Sequence, residues 1–234
     1  VANTQGSLGY MLQRALGQEL RRRRSPQEII TVVTEVEVNA DDDAFEEPTK
    51  PIGRFYTDDD SDTLAMDRGW DMVYVEGQGW RRVVPSPIPQ RIVQLDTIRT
   101  LIDLGVLVVC CGGGGIPVVQ SEEGTLHGIE AVIDKDRVSA MLGLALGAER
   151  LFLTTGTDAI YSDFNGPNKR RLTRLTVDEV LNMADEGEFP AGSMGPKVDA
   201  AVQFIRGGGQ SAVVCSPDEL VEAFHGKAGT EIVK

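Results

Sequence analysis

Histidine and cysteine are scarce in this 234-residue chain, and their scarcity excludes much chemistry before any motif is read. The three cysteines include the adjacent pair Cys110-Cys111 inside an apolar run, which offers neither a disulfide framework nor metal-ligand spacing. A reducing, cytoplasmic setting is therefore expected. His127 and His225 each lack a Cys or a second His at ligand spacing, so both read as surface or loop residues and no metal site is expected. No apolar run approaches the ~18 residues that span a bilayer, since Val106 to Cys111 is short and closed by glycines. A soluble chain with no membrane partner is expected. The opening Val1-Ala2-Asn3-Thr4-Gln5-Gly6 has neither the charged nor the apolar region of a signal peptide, nor an initiating Met, so the chain reads as cut rather than processed. Basic residues are in deficit, 23 against 36 acidic for a net charge of −13, which argues against a nucleic-acid-binding surface. The one dense basic run, Arg21 to Arg24, reads as a helix end complementing the dipole rather than as a phosphate patch.

What is present is an alternation of helices and apolar strands. Leu8, Met11, Leu12, Ala15, Leu16 and Leu20 have helical spacing within Gln5 to Arg24, and Pro26 stops that helix. Glu28 to Val38 is β-branched and reads as one strand. Residues 39–89 change character, with the acidic loop Asp41-Asp42-Asp43, both Trp residues and two short strands around Gly77-Gln78-Gly79; they are expected to form a small inserted subdomain. Helices are then expected at Ile92 to Leu104, Val138 to Leu146, Val177 to Glu186, Met194 to Arg206 and Pro217 to Phe224. Strands are expected at Val106 to Cys111, Arg150 to Thr154 and Ser211 to Cys215. Continuously apolar strands separated by helices indicate an α/β fold with a mainly parallel sheet covered on both faces. The core would comprise 1–38 and 90–234, with 39–89 protruding.

Ligands of open parallel sheets bind beyond the carboxyl ends of strands, and three loops there are unusual. Gly112, Gly113, Gly114 and Gly115 follow the strand ending at Cys111 and are pinned by Ile116-Pro117, which favours close approach to an anion over a merely flexible loop. They form neither a Rossmann fingerprint nor a Walker loop, and no GxxxxGK[ST] occurs in the chain. In Ala131-Val132-Ile133-Asp134-Lys135-Asp136, an Asp could orient lysines or hold Mg2+, while Asp136 could equally be a helix N-cap. In Gly192-Ser193-Met194-Gly195-Pro196-Lys197, the proline suits a first helical turn and Lys197 either lies over a phosphate or faces solvent. The polar segments Thr154 to Tyr161 and Asn165 to Lys169 are suited to wall a nucleotide base.

The segments GGGGIPV, GIEAVIDKD, FNGPN, FPAGSMGPKVDAA and HGKAGTEIV, with the earlier TEVEV, PTKPIG and WRRVVPSP, resemble the carbamate kinase branch of the amino acid kinase family. The resemblance covers essentially the whole chain, and TKPIG marks that branch. It implies an amino acid kinase-like fold and reversible phosphoryl transfer between ATP and carbamate, giving ADP and carbamoyl phosphate, in arginine catabolism. Mg2+ accompanying the nucleotide, and a homodimer, are implied with it. Lys197 would contact ATP phosphates, Lys135 would neutralise the transferring group, Asp136 would organise the lysines and Lys50 would reach toward the substrate. Gly112 to Gly115 would cradle carbamate or the phosphoryl group. Thr155, Asp158, Tyr161, Asn165 and Met194 would line the nucleotide site. The family's opening strands, with their GGNA-type and HGNGPQ-type loops, have no counterpart here, which implies that this polypeptide alone is inactive or nearly so. The competing readings are an acetylglutamate or glutamate kinase, a non-catalytic nucleotide-binding remnant and, last, a dinucleotide oxidoreductase.

Overall fold

The computed structural model describes residues 1–189 and 194–234, so Pro190 to Ser193 of the FPAGSMGPK motif lie outside the described residues. The chain divides into two units, Val1–Lys135 and Asp136–Lys234. Among the described residues no helix is long and apolar enough to cross a membrane.

The first unit opens with α1 (Ala2–Arg22), whose last turn carries Arg21 and Arg22. Its buried positions are Gln5, Gly9 and Gly17, not the apolar stripe: Leu8, Met11, Leu12 and Leu16 are 46–60% exposed. The small Gly9 sets this geometry, because a Cβ there would collide with the Thr31 methyl, and the Thr31 hydroxyl donates to the Gly9 carbonyl at 2.9 Å. The strand expected over Glu28 to Val38 is two strands, β1 (Ile29–Thr31) and β2 (Glu35–Val38), in different sheets. Thr34 lies in the break, fully buried. The Gln5 carboxamide accepts from its N–H at 2.8 Å and donates to its carbonyl at 3.1 Å, bonds a continuous ladder would have claimed.

Lys50–Tyr56 forms β3, Asp58–Arg68 forms α2, Met72–Val75 forms β4 and Gly79–Val84 forms β5. The strands make an antiparallel sheet in the order β3-β5-β4. The Thr57 hydroxyl accepts from the Asp60 N–H, and Asp58, Asp59 and Asp60 fill the first turn of α2, where the helix dipole favours negative charge. There follow β6 (Pro89–Ile92), α3 (Leu95–Asp103), β7 (Leu107–Val109), a 3-10 turn at Gly112–Gly114, β8 (Ile116–Gln120) and β9 (Leu126–Gly128). β1 pairs in parallel with β7, and a second sheet runs β6-β2-β8-β9 with β2 and β8 parallel. His127, in β9, is exposed as expected.

In the second unit, α4 (Lys135–Leu146) opens at the unit boundary and leads to β10 (Arg150–Thr154), β11 (Ile160–Ser162), β12 (Arg170–Leu172) and β13 (Arg174–Thr176). Then come α5 (Val177–Asp185), α6 (Met194–Arg206), β14 (Ser211–Cys215), α7 (Leu220–Phe224) and β15 (Thr230–Val233). The helix expected over Pro217 to Phe224 is a 3-10 turn, Pro217–Glu219, followed by the short α7. A capping box between Thr176 and Glu179 starts α5. The sheet order is β10-β14-β15-β13, with β10-β14 and β13-β15 parallel and β14-β15 antiparallel. An α/β architecture is therefore observed, its parallel ladders extended by antiparallel neighbours that apolar runs alone do not reveal. Every residue of β14 is buried, and α6 packs Phe204 and Ile205 into the core with Ile160 and Ile232.

Replacing Gln5 by Ala would strand the buried Thr34 N–H and take one of two donors from its carbonyl, which keeps the Ile116 N–H. A loss of about 1–3 kcal/mol is expected from urea unfolding; a change within about 0.5 kcal/mol would show that α1 is not tied down through this amide.

Candidate functional site

In the first unit the glycine loop is held by sterics and by Thr34. The Thr34 hydroxyl accepts from the Cys111 N–H at 3.0 Å, and the Thr34 carbonyl accepts from the Ile116 N–H at 2.8 Å. Cys111, Gly113, Gly114 and Gly115 all have positive φ. A Cβ on Gly114 would strike the Ile133 carbonyl and one on Gly115 would strike the Val36 side chain, so both positions require glycine. Their amides are spent inside the turn, Gly114 donating to Cys111 at 3.0 Å and Gly115 to Gly112 at 3.3 Å. Of the four glycines expected as a cradle, Gly112 and Gly113 are exposed and Gly114 and Gly115 buried. Lys50, at the start of β3, places its ammonium 2.7 Å from Asp134, whose side chain is only 10% exposed. Asp134 is thereby the carboxylate that orients Lys50. Lys135, the first residue of α4, is exposed.

In the second unit Asp136 is the second residue of α4 and not its cap. Both its oxygens accept from the Lys197 ammonium, each at 3.0 Å. Lys197 is 6% exposed, so it is not an ordinary solvent-facing lysine. A charge pair this deeply buried persists only because each partner satisfies the other. Gly195-Pro196-Lys197 lies in the first turn of α6, as the proline suggested.

Thr155, Tyr161, Asn165 and Met194 line one cavity of about 300 Å³, together with Thr157, Phe164, Glu188 and Phe189. Asp158 and Lys197 are not among its lining residues. Asp158 instead accepts from the Tyr161 hydroxyl at 2.7 Å and from Arg171 at 2.9 Å. The tyrosine bond and then the guanidinium hold its carboxyl below the ordinary range, and the same carboxylate pushes the Tyr161 phenol up. The Lys169 ammonium lies 4.0 Å from the Phe164 ring centre and 4.6 Å from that of Tyr161. The Thr157 hydroxyl is buried with no hydrogen-bond partner among the described residues. Sequence reasoning did not single out Thr157, Phe164 or Phe189, although the FNGPN motif contains Phe164. Among the described residues there is no group of three or more His, Cys, Asp or Glu suited to hold a metal.

An exposed glycine turn and a carboxylate-held lysine in the first unit, and a buried lysine–carboxylate pair and a largely apolar cavity in the second, are each of a kind that phosphoryl transfer uses. The sequence profile of the Amino acid kinase family matches residues 29–216. The chain therefore belongs to the amino acid kinase family, as a phosphotransferase of the kinase type. Within it the similarity is to carbamate kinases. The carbamate kinase of Staphylococcus haemolyticus is 45% identical over 234 residues, covering 100% of this chain and 75% of that protein. The one from Thermococcus kodakarensis is 42% identical over 233 residues, covering 100% and 74%. The solved carbamate kinase of Giardia lamblia bound to citric acid superposes with a TM-score of 0.91 at 39% identity, covering 100% of this chain and 73% of that one.

Removing either member of the Lys197–Asp136 pair singly (Lys197→Met, Asp136→Leu) is expected to cost about 3–5 kcal/mol, and the double variant distinctly less than the sum. A double-mutant cycle by urea unfolding checks this; additive losses would mean that the pair is not coupled.

Proposed function

We propose that this protein transfers a phosphoryl group between ATP and carbamate, reversibly, forming ADP and carbamoyl phosphate. The observation that carries the proposal is the Lys197–Asp136 pair at the start of α6: a buried cation held in place by a carboxylate. Phosphoryl transfer asks little covalent work of a protein; it needs alignment, and positive charge on oxygens that become more negative. Lys197 would contact the nucleotide phosphates, with Asp136 fixing its position. Lys50, oriented by Asp134, would serve the carbamate end, and Lys135 would neutralise the transferring group. The Gly112 and Gly113 amides would receive the acceptor or the phosphoryl oxygens. No side-chain nucleophile is invoked, so transfer is direct.

The nucleoside would occupy the cavity lined by Thr155, Tyr161, Asn165 and Met194. A Giardia lamblia carbamate kinase bound to AMP-PNP, which this chain matches with a TM-score of 0.88, supports a nucleotide as ligand. Because Asp134 and Asp136 are each engaged by a lysine, the donor set fits Mg2+ carried by the nucleotide better than Mg2+ caged by protein. Bound there, the ion would neutralise charge on bridging phosphate oxygens. A homodimer and a cytoplasmic setting belong to the same proposal, the second supported by three free thiols.

ATP formation from ADP and carbamoyl phosphate is the test, with calorimetric ADP binding in parallel. Lys197→Met is expected to lower kcat by about 100- to 1000-fold, and Lys50→Met to act mainly on the carbamoyl phosphate end. Turnover with acetylglutamyl phosphate but not carbamoyl phosphate would overturn the substrate assignment. ADP binding without turnover would leave this chain a nucleotide-binding protein only.

A further inference from the structure

The closing motif HGKAGTEIV has no part in the proposed reaction, yet it walls a cavity of about 250 Å³ that lies wholly within the second unit. In a chain of net charge −13, Arg150, Arg171, Arg174 and Lys227 line this cavity against the lone carboxylate of Glu231. These cations come from β10, β12, β13 and the turn before β15, so they approach from separate elements. Gly229, with φ 79°, holds that turn against β14, because a Cβ there would strike the Val214 carbonyl. The Arg150 guanidinium meets neutral groups, donating to the Phe224 carbonyl at 2.9 Å and lying over the Phe152 and Phe224 rings, so its charge is not cancelled. Arg174 faces Glu231 at 3.4 Å but is 68% exposed, a loose surface pair. The Lys227 ammonium has no ion pair among the described residues.

We infer that this cavity is a second anion site, for a small phosphate-type dianion, and that Arg171 couples it to the cavity assigned above to the nucleoside. The two cavities share no lining residue. A tetrahedral anion offers oxygens in several directions, which converging cations can use together, whereas one guanidinium fork already fills a planar carboxylate. The volume falls below the roughly 300–1,000 Å³ usual for larger ligands, which suits a phosphate with at most a small substituent. Arg171 lies opposite Tyr161 in the β11–β12 ladder and meets one Asp158 oxygen through Nε, at 2.9 Å, leaving its two Nη groups for a guest. The other Asp158 oxygen accepts from the Tyr161 hydroxyl at 2.7 Å, and Tyr161 lines the nucleoside cavity. A dianion on the Nη groups therefore holds the guanidinium on Asp158 and Asp158 on Tyr161, steadying one wall of that cavity. By linkage a nucleoside strengthens anion binding by the same factor. The coupling, unlike the anion site, rests on the proposed function.

Arginine modification by phenylglyoxal on the folded chain, mapped by peptide mass spectrometry at constant ionic strength, reads the site residue by residue. Inorganic phosphate is expected to protect Arg174 saturably while the exposed Arg206, at the end of α6, keeps its rate. Lys227→Gln, a change in an exposed turn, should raise the half-protecting concentration about 10-fold and leave ADP binding in phosphate-free buffer unchanged. Equal protection by chloride, equal protection of Arg206, or protection indifferent to Lys227→Gln would each overturn the site. Succinate protecting at lower concentration than phosphate would overturn the phosphate assignment. Coupling is read by calorimetry with adenosine, which carries no phosphate to compete elsewhere. Phosphate should tighten adenosine binding in the wild type and not in Arg171→Gln. Unchanged adenosine affinity would sink the coupling and leave the anion site standing; no adenosine binding under either condition would count against the nucleoside cavity itself.

Discussion

A lysine ammonium buried to 6% exposure has one tolerable arrangement, with an anion in contact, and the Lys197–Asp136 pair supplies it. That constraint fixes the start of α6 against the first turn of α4. From α6 follows the packing of Phe204 and Ile205 with Ile232 and hence the second unit's core. The pair is poorly explained as a stabilising device, since an apolar couple of similar size would hold the two helices at least as well. Its retention makes sense if the cation is needed, fixed in place, for a polyanion.

The first unit answers a different constraint, one of space. Thr34 and Gln5 together satisfy the backbone where β1 and β2 part, and the same Thr34 hydroxyl and carbonyl hold both ends of the glycine turn. Two glycines there are locked by neighbours and two are left outward. The turn is consequently fixed where it meets the core and exposed at Gly112 and Gly113. Lys50 and Lys197 are positioned by Asp134 and Asp136, two residues apart in sequence, so one short stretch supplies a carboxylate to each unit's lysine.

Much of this was legible beforehand where the signal was local. Arg150–Thr154, Met194–Arg206 and Ser211–Cys215 have the bounds their apolar patterns suggested; Ser211–Cys215 is buried throughout, and Met194–Arg206 buries most of its apolar positions. The break inside Glu28 to Val38 was invisible because it is made by Gln5, a residue on another element. The apolar stripe of α1 misled in the opposite way: helical spacing identified the helix correctly, but small residues, not large ones, decide which face approaches β1. α2 was hidden because its acidic first turn reads as loop until Thr57 is seen to cap it. Asp136 and Lys197 were candidates from their own loops, and Lys50 only through the family resemblance. Which carboxylate serves which lysine, and that Asp136 is no cap, needed the fold. The aromatic walls at Phe164 and Phe189 lay inside the quoted FNGPN and FPAGSMGPKVDAA motifs, but nothing local marked them as cavity lining.

The Thr157 hydroxyl, buried and without a hydrogen-bond partner among the described residues, bears on discrimination. A guest in the neighbouring cavity that supplies a hydrogen bond to it relieves a buried group, while one of the same shape without that atom leaves the group orphaned. The difference, about 1–3 kcal/mol, corresponds to roughly 5- to 150-fold in affinity, comparable to what an added methylene in an apolar pocket would give. Choice among similar nucleosides would then be written less in the aromatic walls, which any base can stack on, than in one threonine that waits for a partner.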